Sequence, residues 1–211
     1  RSPGERASIE WASNQRHCEA VMTPTPSPII PYVAHDLSDP ADVVGAIRKR
    51  RGGQLINLDR MLLHSVPYAR GWNAFIGEVR RNLSISAKHR EIAMCGVAVL
   101  NGAEYEFFHH SPELLAAGGT QAQVDALRLI DNETADFSMF DSTEQQVIRL
   151  TFQMTRQIQV APEVLGELQK QLGNTKVVEL VGVIAAYNMV SRFLIALGVG
   201  PEEHPPTPAS A

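Results

Sequence analysis

The chain has 211 residues, 44% of them hydrophobic and 20% charged, with 19 Lys and Arg against 23 Asp and Glu and a net charge of -4. That is one ordinary domain able to bury a sizeable core, and it excludes global disorder, a collagen-like repeat and a disulfide scaffold. The weak acidity leaves no basic footprint for sequence-independent nucleic-acid binding, so nucleic acid is not an expected partner.

Proline marks the borders. Six of the 13 prolines lie in residues 1–40 and four in residues 201–211. Because proline lacks a backbone donor and restricts its predecessor, residues 1–31 read as a Pro-rich arm and 201–211 as a Pro-rich tail around one domain at 32–200. Residues Arg1 to Pro31 offer no apolar signal-peptide core. The two cysteines, Cys18 and Cys95, form no CxxC pair. A reduced, cytoplasmic protein is the expectation.

Between the tails, apolar residues recur at three- and four-residue spacing, which predicts an all-α domain of about eight helices. The first covers Asp39 to Arg50, before Gly52-Gly53. The second covers Asp59 to Ile76, with Pro67 kinking or splitting it. Ser86 or Ser84 caps a third, whose body Glu91 to Leu100 is apolar all round and stops at Asn101-Gly102. Another begins at Ala103 to His110, limited by Pro112 and Gly118-Gly119. Thr120 with Gln123, and Ser142 with Gln145, read as capping boxes for helices reaching Asp131 and Gln159. Pro162 fits the first turn of Ala161 to Gln171, and Asn174 or Thr175 opens the last helix, to Leu197. The stretch Val177 to Leu197 is long enough to span a bilayer. It carries Glu179, Asn188, Ser191 and Arg192, so it is expected to be buried in protein, with no membrane as partner.

The most informative stretch is Asn101 to His110. On a helix Glu106 and His110 are i,i+4 neighbours on one face, where the carboxylate favours and orients the imidazolium. Glu91 opens an apolar helix, where an acid needs a partner or a cavity. The bland reading of such a pair is a solvated helix-surface contact worth a few tenths of a kcal/mol. Carboxylate and imidazole also suit a divalent ion, but no further ligand spacing accompanies them, so no metal and no other cofactor is expected. His109 reads as a surface or interface residue.

These residues carry a family resemblance. Glu91, eleven residues, Ala103-x-x-Glu106, three residues and His110 reproduce the spacing Glu, eleven residues, Cys-x-x-Cys, three residues, His. The chain thereby resembles the carboxymuconolactone decarboxylase and alkylhydroperoxidase D (AhpD-like) superfamily. Asn-Gly-Ala-Glu-Tyr-Glu-Phe-x-x-His is similar to its decarboxylase branch, and the likeness extends over residues 30 to 200. It implies an AhpD-like helical bundle assembled as a homo-oligomer, a trimer or hexamer. It also implies acid–base chemistry on a small carboxylated or lactone-like molecule: His110 moves the proton, Glu106 orients and charges it, and Glu91 supports the pair. Tyr105, or an arginine reaching in, is the candidate for stabilising oxyanion charge. Phe107, Trp72 and Arg192 are further substrate-binding candidates, with packing or ion pairing as their competing roles. The alternatives are an alkylhydroperoxidase-type antioxidant activity, disfavoured by Ala103 and Glu106 at the cysteine positions, and a non-catalytic ligand-binding or assembly protein.

Overall fold

The computed structural model describes residues 28–202. The arm read at 1–31 and the tail read at 201–211 therefore lie outside the described residues except at 28–31 and 201–202, and Cys18 lies outside them too. Eight α-helices and no strands occur among the described residues: α1 Ala41–Arg50, α2 Asn57–Leu62, α3 Val66–Arg81, α4 Ala87–Asn101, α5 Glu104–Ala116, α6 Gln121–Leu127, α7 Ser142–Phe152 and α8 Pro162–Leu197. The all-α expectation holds.

The core is organised around α4. Ile92, Ala93, Met94, Cys95 and Val97 are fully buried, as an all-round apolar helix requires. Helices α5, α7 and α8 pack against it. Gly96 brings α7 close: a Cβ there would meet Thr151 Cγ2 and Ile130 Cδ1, each at 3.0 Å. Ser86 caps α4 by accepting from the His89 backbone N–H at 3.1 Å, and Gly102, at φ 69°, ends it in the left-handed region. That turn sends α5 back along α4.

Several boundaries differ from the sequence reading for local physical reasons. Pro67 splits rather than kinks its segment, standing in the first turn of α3, and α3 then runs on to Arg81. Pro112 does not limit α5, which continues to Ala116. It sits on the exposed face one turn beyond the exposed Phe108, where water can satisfy the carbonyl that proline leaves without a donor. The capping box at Thr120 and Gln123 forms, but α6 stops at Leu127 rather than Asp131. The box before α7 is one residue earlier than expected: Asp141 accepts from the Glu144 backbone N–H at 2.8 Å, and Glu144 reaches back to the Asp141 N–H at 3.1 Å. Beyond Phe152 the helix widens into a π turn, Gln153–Gln157.

Helix α8 breaks at Gly173, whose φ of 78° and ψ of 166° kink the chain between two helical arms. It is long and apolar enough to cross a membrane by length and composition. Leu180, Val183, Ile184, Tyr187, Val190 and Leu194 bury one face, while Val178 and Ile195 stay exposed, so it is not buried on every side.

Candidate active site

The α4–α5 hairpin brings together what the sequence separates. His110 Nδ1 lies 2.6 Å from Glu91 Oε2, and His110 Nε2 lies 3.4 Å from Glu106 Oε2. All three are buried, His110 at 4% exposure, Glu106 at 2% and Glu91 at 6%. The bland reading of a solvated helix pair is thereby excluded. The short partner of the imidazole is Glu91, not Glu106: Glu91 orients the ring, and Glu106 faces the opposite nitrogen.

Arg80, at the end of α3, completes the group. Its Nη2 lies 3.1 Å from His110 Nε2, and its Nε donates to the Tyr187 hydroxyl at 2.9 Å. The Tyr187 ring stands edge-on to the imidazole at a centroid distance of 4.9 Å. A guanidinium only donates, so Arg80 requires an unprotonated Nε2, whereas Glu106 requires a protonated one. With the neutral ring, Nδ1–H donates to Glu91, Nε2 accepts from Arg80, and Glu106 Oε2 is left buried without a hydrogen-bond partner. With the imidazolium, Nε2–H turns to Glu106. The two proton states are therefore two hydrogen-bond arrangements of one residue set.

Burial by itself favours the neutral ring. Hydrogen bonding to Glu106 and Glu91 outweighs that, together with the repulsion of Arg80, and holds His110 above its usual range. Glu106 is pushed up by burial but more strongly down by His110 and Arg80, so it titrates below the usual carboxylate range. Burial disfavours the charge on Arg80, yet Tyr187, Glu106 and Glu91 secure its guanidinium form. Burial first, against the pull of Arg80, raises the Tyr187 phenol and keeps it a neutral hydroxyl.

His110, Glu91, Glu106 and Arg80 line one cavity of about 310 Å³, with Arg51, Arg90, Tyr105, His109 and Glu113. Its charge is mixed: three arginines face three glutamates. Arg51 is anchored through its Nε to Asp59 at 3.1 Å, and Asp59, only 1% exposed, also holds Arg50 at 3.2 Å. Among the described residues, no three His, Cys, Asp or Glu side chains are grouped so as to hold a metal ion.

Of the other sequence candidates, Tyr105 lines this cavity, and Phe107, Trp72 and Arg192 do not. The Tyr105 hydroxyl donates to Glu202 at 3.2 Å. Burial, then Glu202 and Glu106, raise its pKa and keep it a hydroxyl. Phe107 is buried beneath the Arg128 guanidinium, 4.0 Å from the ring centroid. Trp72 packs on Tyr68 and Phe193, with centroids 5.9 and 5.1 Å away. Arg192 is exposed and donates to the Asn188 carbonyl and side chain at 3.0 and 2.6 Å, so neither the expected burial nor its ionic partner is present.

Sequence reasoning missed Arg80; His109, read as a surface or interface residue, is half-buried and lines the cavity. A signal for Arg80 existed: it continues the i,i+4 row Trp72, Ile76, whose other members are buried, and a cation on an apolar row needs a partner. Cys95 is fully buried, and burial first, then Glu91, push its thiol pKa up, so it offers no thiolate.

Residues 67–140, which carry the Glu91, Glu106 and His110 constellation, match the model of the Carboxymuconolactone decarboxylase family. An uncharacterized peroxidase-related protein from Silicibacter sp. TM1040 has a similar solved structure, with a TM-score of 0.69 at 16% identity, over 87% of this chain and 96% of that one. A second, from Ralstonia eutropha JMP134, is described as an alkylhydroperoxidase AhpD core and uncharacterized peroxidase-related protein. It gives a TM-score of 0.70 at 15% identity, over 84% of this chain and 94% of that one. At such identities the likeness is one of fold. No curated protein matches the chain significantly.

Proposed function

We propose that this chain, a member of the carboxymuconolactone decarboxylase and AhpD-like superfamily, is an enzyme that uses His110 as a general acid on a small carboxylated or lactone-like substrate. The observation that carries this reading is the buried imidazole held between Glu91 and the facing pair Arg80 and Glu106. Loss of carbon dioxide from a lactone acid leaves an electron pair that passes into the conjugated carbonyl, and the resulting enolate must then take a proton. The raised pKa of His110 favours its imidazolium donor form, with Glu91 fixing its ring and Glu106 aligning the Nε2 proton. When that proton leaves, Arg80 takes up Nε2 as acceptor. Its guanidinium, on the cavity wall, is also placed to neutralise developing oxyanion charge, the role the sequence reading gave to Tyr105 or an unnamed arginine.

The reading invokes no metal: the proton donor is the imidazole itself, oriented by Glu91 at Nδ1. It disfavours a cysteine peroxidase, because Ala103 and Glu106 stand at the CxxC positions and Cys95 is sealed in the core. Self-association into a trimer or hexamer belongs to the same proposal, and light scattering after size-exclusion chromatography tests it. The reaction itself is tested by carbon dioxide release from carboxymuconolactone and related lactone and β-keto acids. Dependence on His110 and Glu106 is the expected result, and turnover indifferent to His110 would end the proposal.

A further inference from the structure

The segment after α8 folds back onto the cavity wall. Val199 is buried, the Gly200 N–H donates to the Tyr32 hydroxyl at 3.2 Å, and Asn57 Nδ2 donates to the carbonyls of Gly200 and Pro201 at 3.1 and 3.3 Å. This delivers the Glu202 carboxylate, its side chain 14% exposed, to the base of α2. One oxygen, Oε1, accepts both from the Asn57 backbone N–H at 3.0 Å and from the Tyr105 hydroxyl at 3.2 Å. The other, Oε2, lies 3.9 Å from His109 Nε2. Tyr105 and His109 line the cavity that holds His110, as do Ile56, next to Asn57, and Arg51.

This carboxylate is partly exposed and is held without a close ionic partner among the described residues. Among the described residues its two hydrogen bonds come from neutral donors to the ionised acceptor, and no cation pairs with it at hydrogen-bond distance. Its nearest cation-capable neighbour, His109, is beyond hydrogen-bond distance, and burial holds its pKa below the usual value. Arg51, meanwhile, commits its Nε to Asp59, and its terminal nitrogens have no hydrogen-bond partner among the described residues.

We infer that Gly200–Glu202 is a displaceable latch. Glu202 occupies a carboxylate subsite made by the Tyr105 hydroxyl and the Asn57 N–H beside Arg51, and a ligand whose second carboxylate reaches this wall takes its place. The inference rests on the proposed function, since it requires carboxylated ligands in the cavity. Glu202 then acts as an internal competitor: the subsite is available only in the fraction of molecules whose latch is released, and apparent affinity falls by that fraction.

The test is isothermal titration calorimetry of the full chain with adipate, which has a carboxylate at each end of six carbons, and with hexanoate, which has one. Glu202→Ala is expected to bind adipate roughly fivefold more tightly than the native chain, with less than about a twofold change for hexanoate. Adding Tyr105→Phe is expected to abolish the gain, while Tyr105→Phe alone, with an unchanged melting temperature, shows that the fold tolerates the loss of the hydroxyl. Equal changes for both acids, no change, or no adipate binding to Glu202→Ala would overturn the latch. Turnover plays no part in this readout. The adipate pattern without His110-dependent chemistry would refute the proposed reaction alone, and His110-dependent chemistry without the pattern would refute the latch alone.

Discussion

Glu91 Oε2 stands 2.6 Å from His110 Nδ1 although nineteen residues and a helix reversal separate the two. A buried carboxylate at that distance fixes the tautomer of the neutral ring and stabilises the imidazolium, so Glu91 on α4 joins Glu106 in setting the acidity of His110. Glu91→Gln is expected to lower the His110 pKa and reduce turnover by about 10²-fold, within the range of general acid–base catalysis. A pH–rate profile whose alkaline limb moves to lower pH, with matching histidine NMR titration, checks this.

Protonation of the pair also appears in stability. The His110 pKa is raised in the folded chain, so its stabilising contribution is fully present below the unfolded value of about 6.5 and is lost as pH rises through the folded value. Glu106 behaves oppositely: its folded pKa is lowered, and its contribution is lost as pH falls through that value. The melting-temperature difference between the native chain and His110→Asn is therefore expected to shrink as pH rises from about 6 to 9.

Arg80→Met removes the donor that His110 Nε2 and the Tyr187 hydroxyl share. Leaving buried polar groups unmatched costs about 1–3 kcal/mol. The expected kinetic loss is larger and falls on kcat more than KM, because the developing charge loses its neutralising group. Denaturant unfolding beside steady-state kinetics separates the two effects.

The aromatic candidates outside the cavity are expected to behave as core. Trp72→Ala is expected to cost about 3–5 kcal/mol of stability with KM little changed in the protein that remains folded. Arg192→Ala, exposed and bonded to Asn188, is expected to leave KM unchanged. A rise in KM for either places substrate where the cavity is not.

Cys95 provides the test against thiol chemistry. Cys95→Ala is expected to cost about 1–2 kcal/mol for the small void it leaves, and to leave hydroperoxide consumption at the uncatalysed background in both proteins. Consumption that disappears with Cys95 would restore a peroxidase reading.

What the sequence disclosed follows from how local each determinant is. The apolar run Glu91 to Leu100, the Ser86 cap and the stop at Gly102 are local, and α4 is found as read. Glu106 and His110 share a helix face, so their pairing was legible from spacing. That Glu91, rather than Glu106, takes the close position depends on how α5 returns along α4, which periodicity does not encode. Trp72 and Phe107 illustrate the converse: both stand in the sequence as substrate-binding candidates with packing as the competing role, and the structure places each in packing outside the cavity. Arg80 and Glu202 reach the site from 30 residues before His110 and 97 residues after Tyr105, and only tertiary structure joins them.

The most direct measurement is carbon dioxide release from carboxymuconolactone by the native chain, His110→Ala and Glu106→Ala under identical conditions. Proton delivery by His110 predicts release by the native chain that falls by about 10²-fold or more in His110→Ala and is also impaired in Glu106→Ala. Undiminished release by His110→Ala, or none from the native chain across carboxymuconolactone and related lactone and β-keto acids, would contradict it.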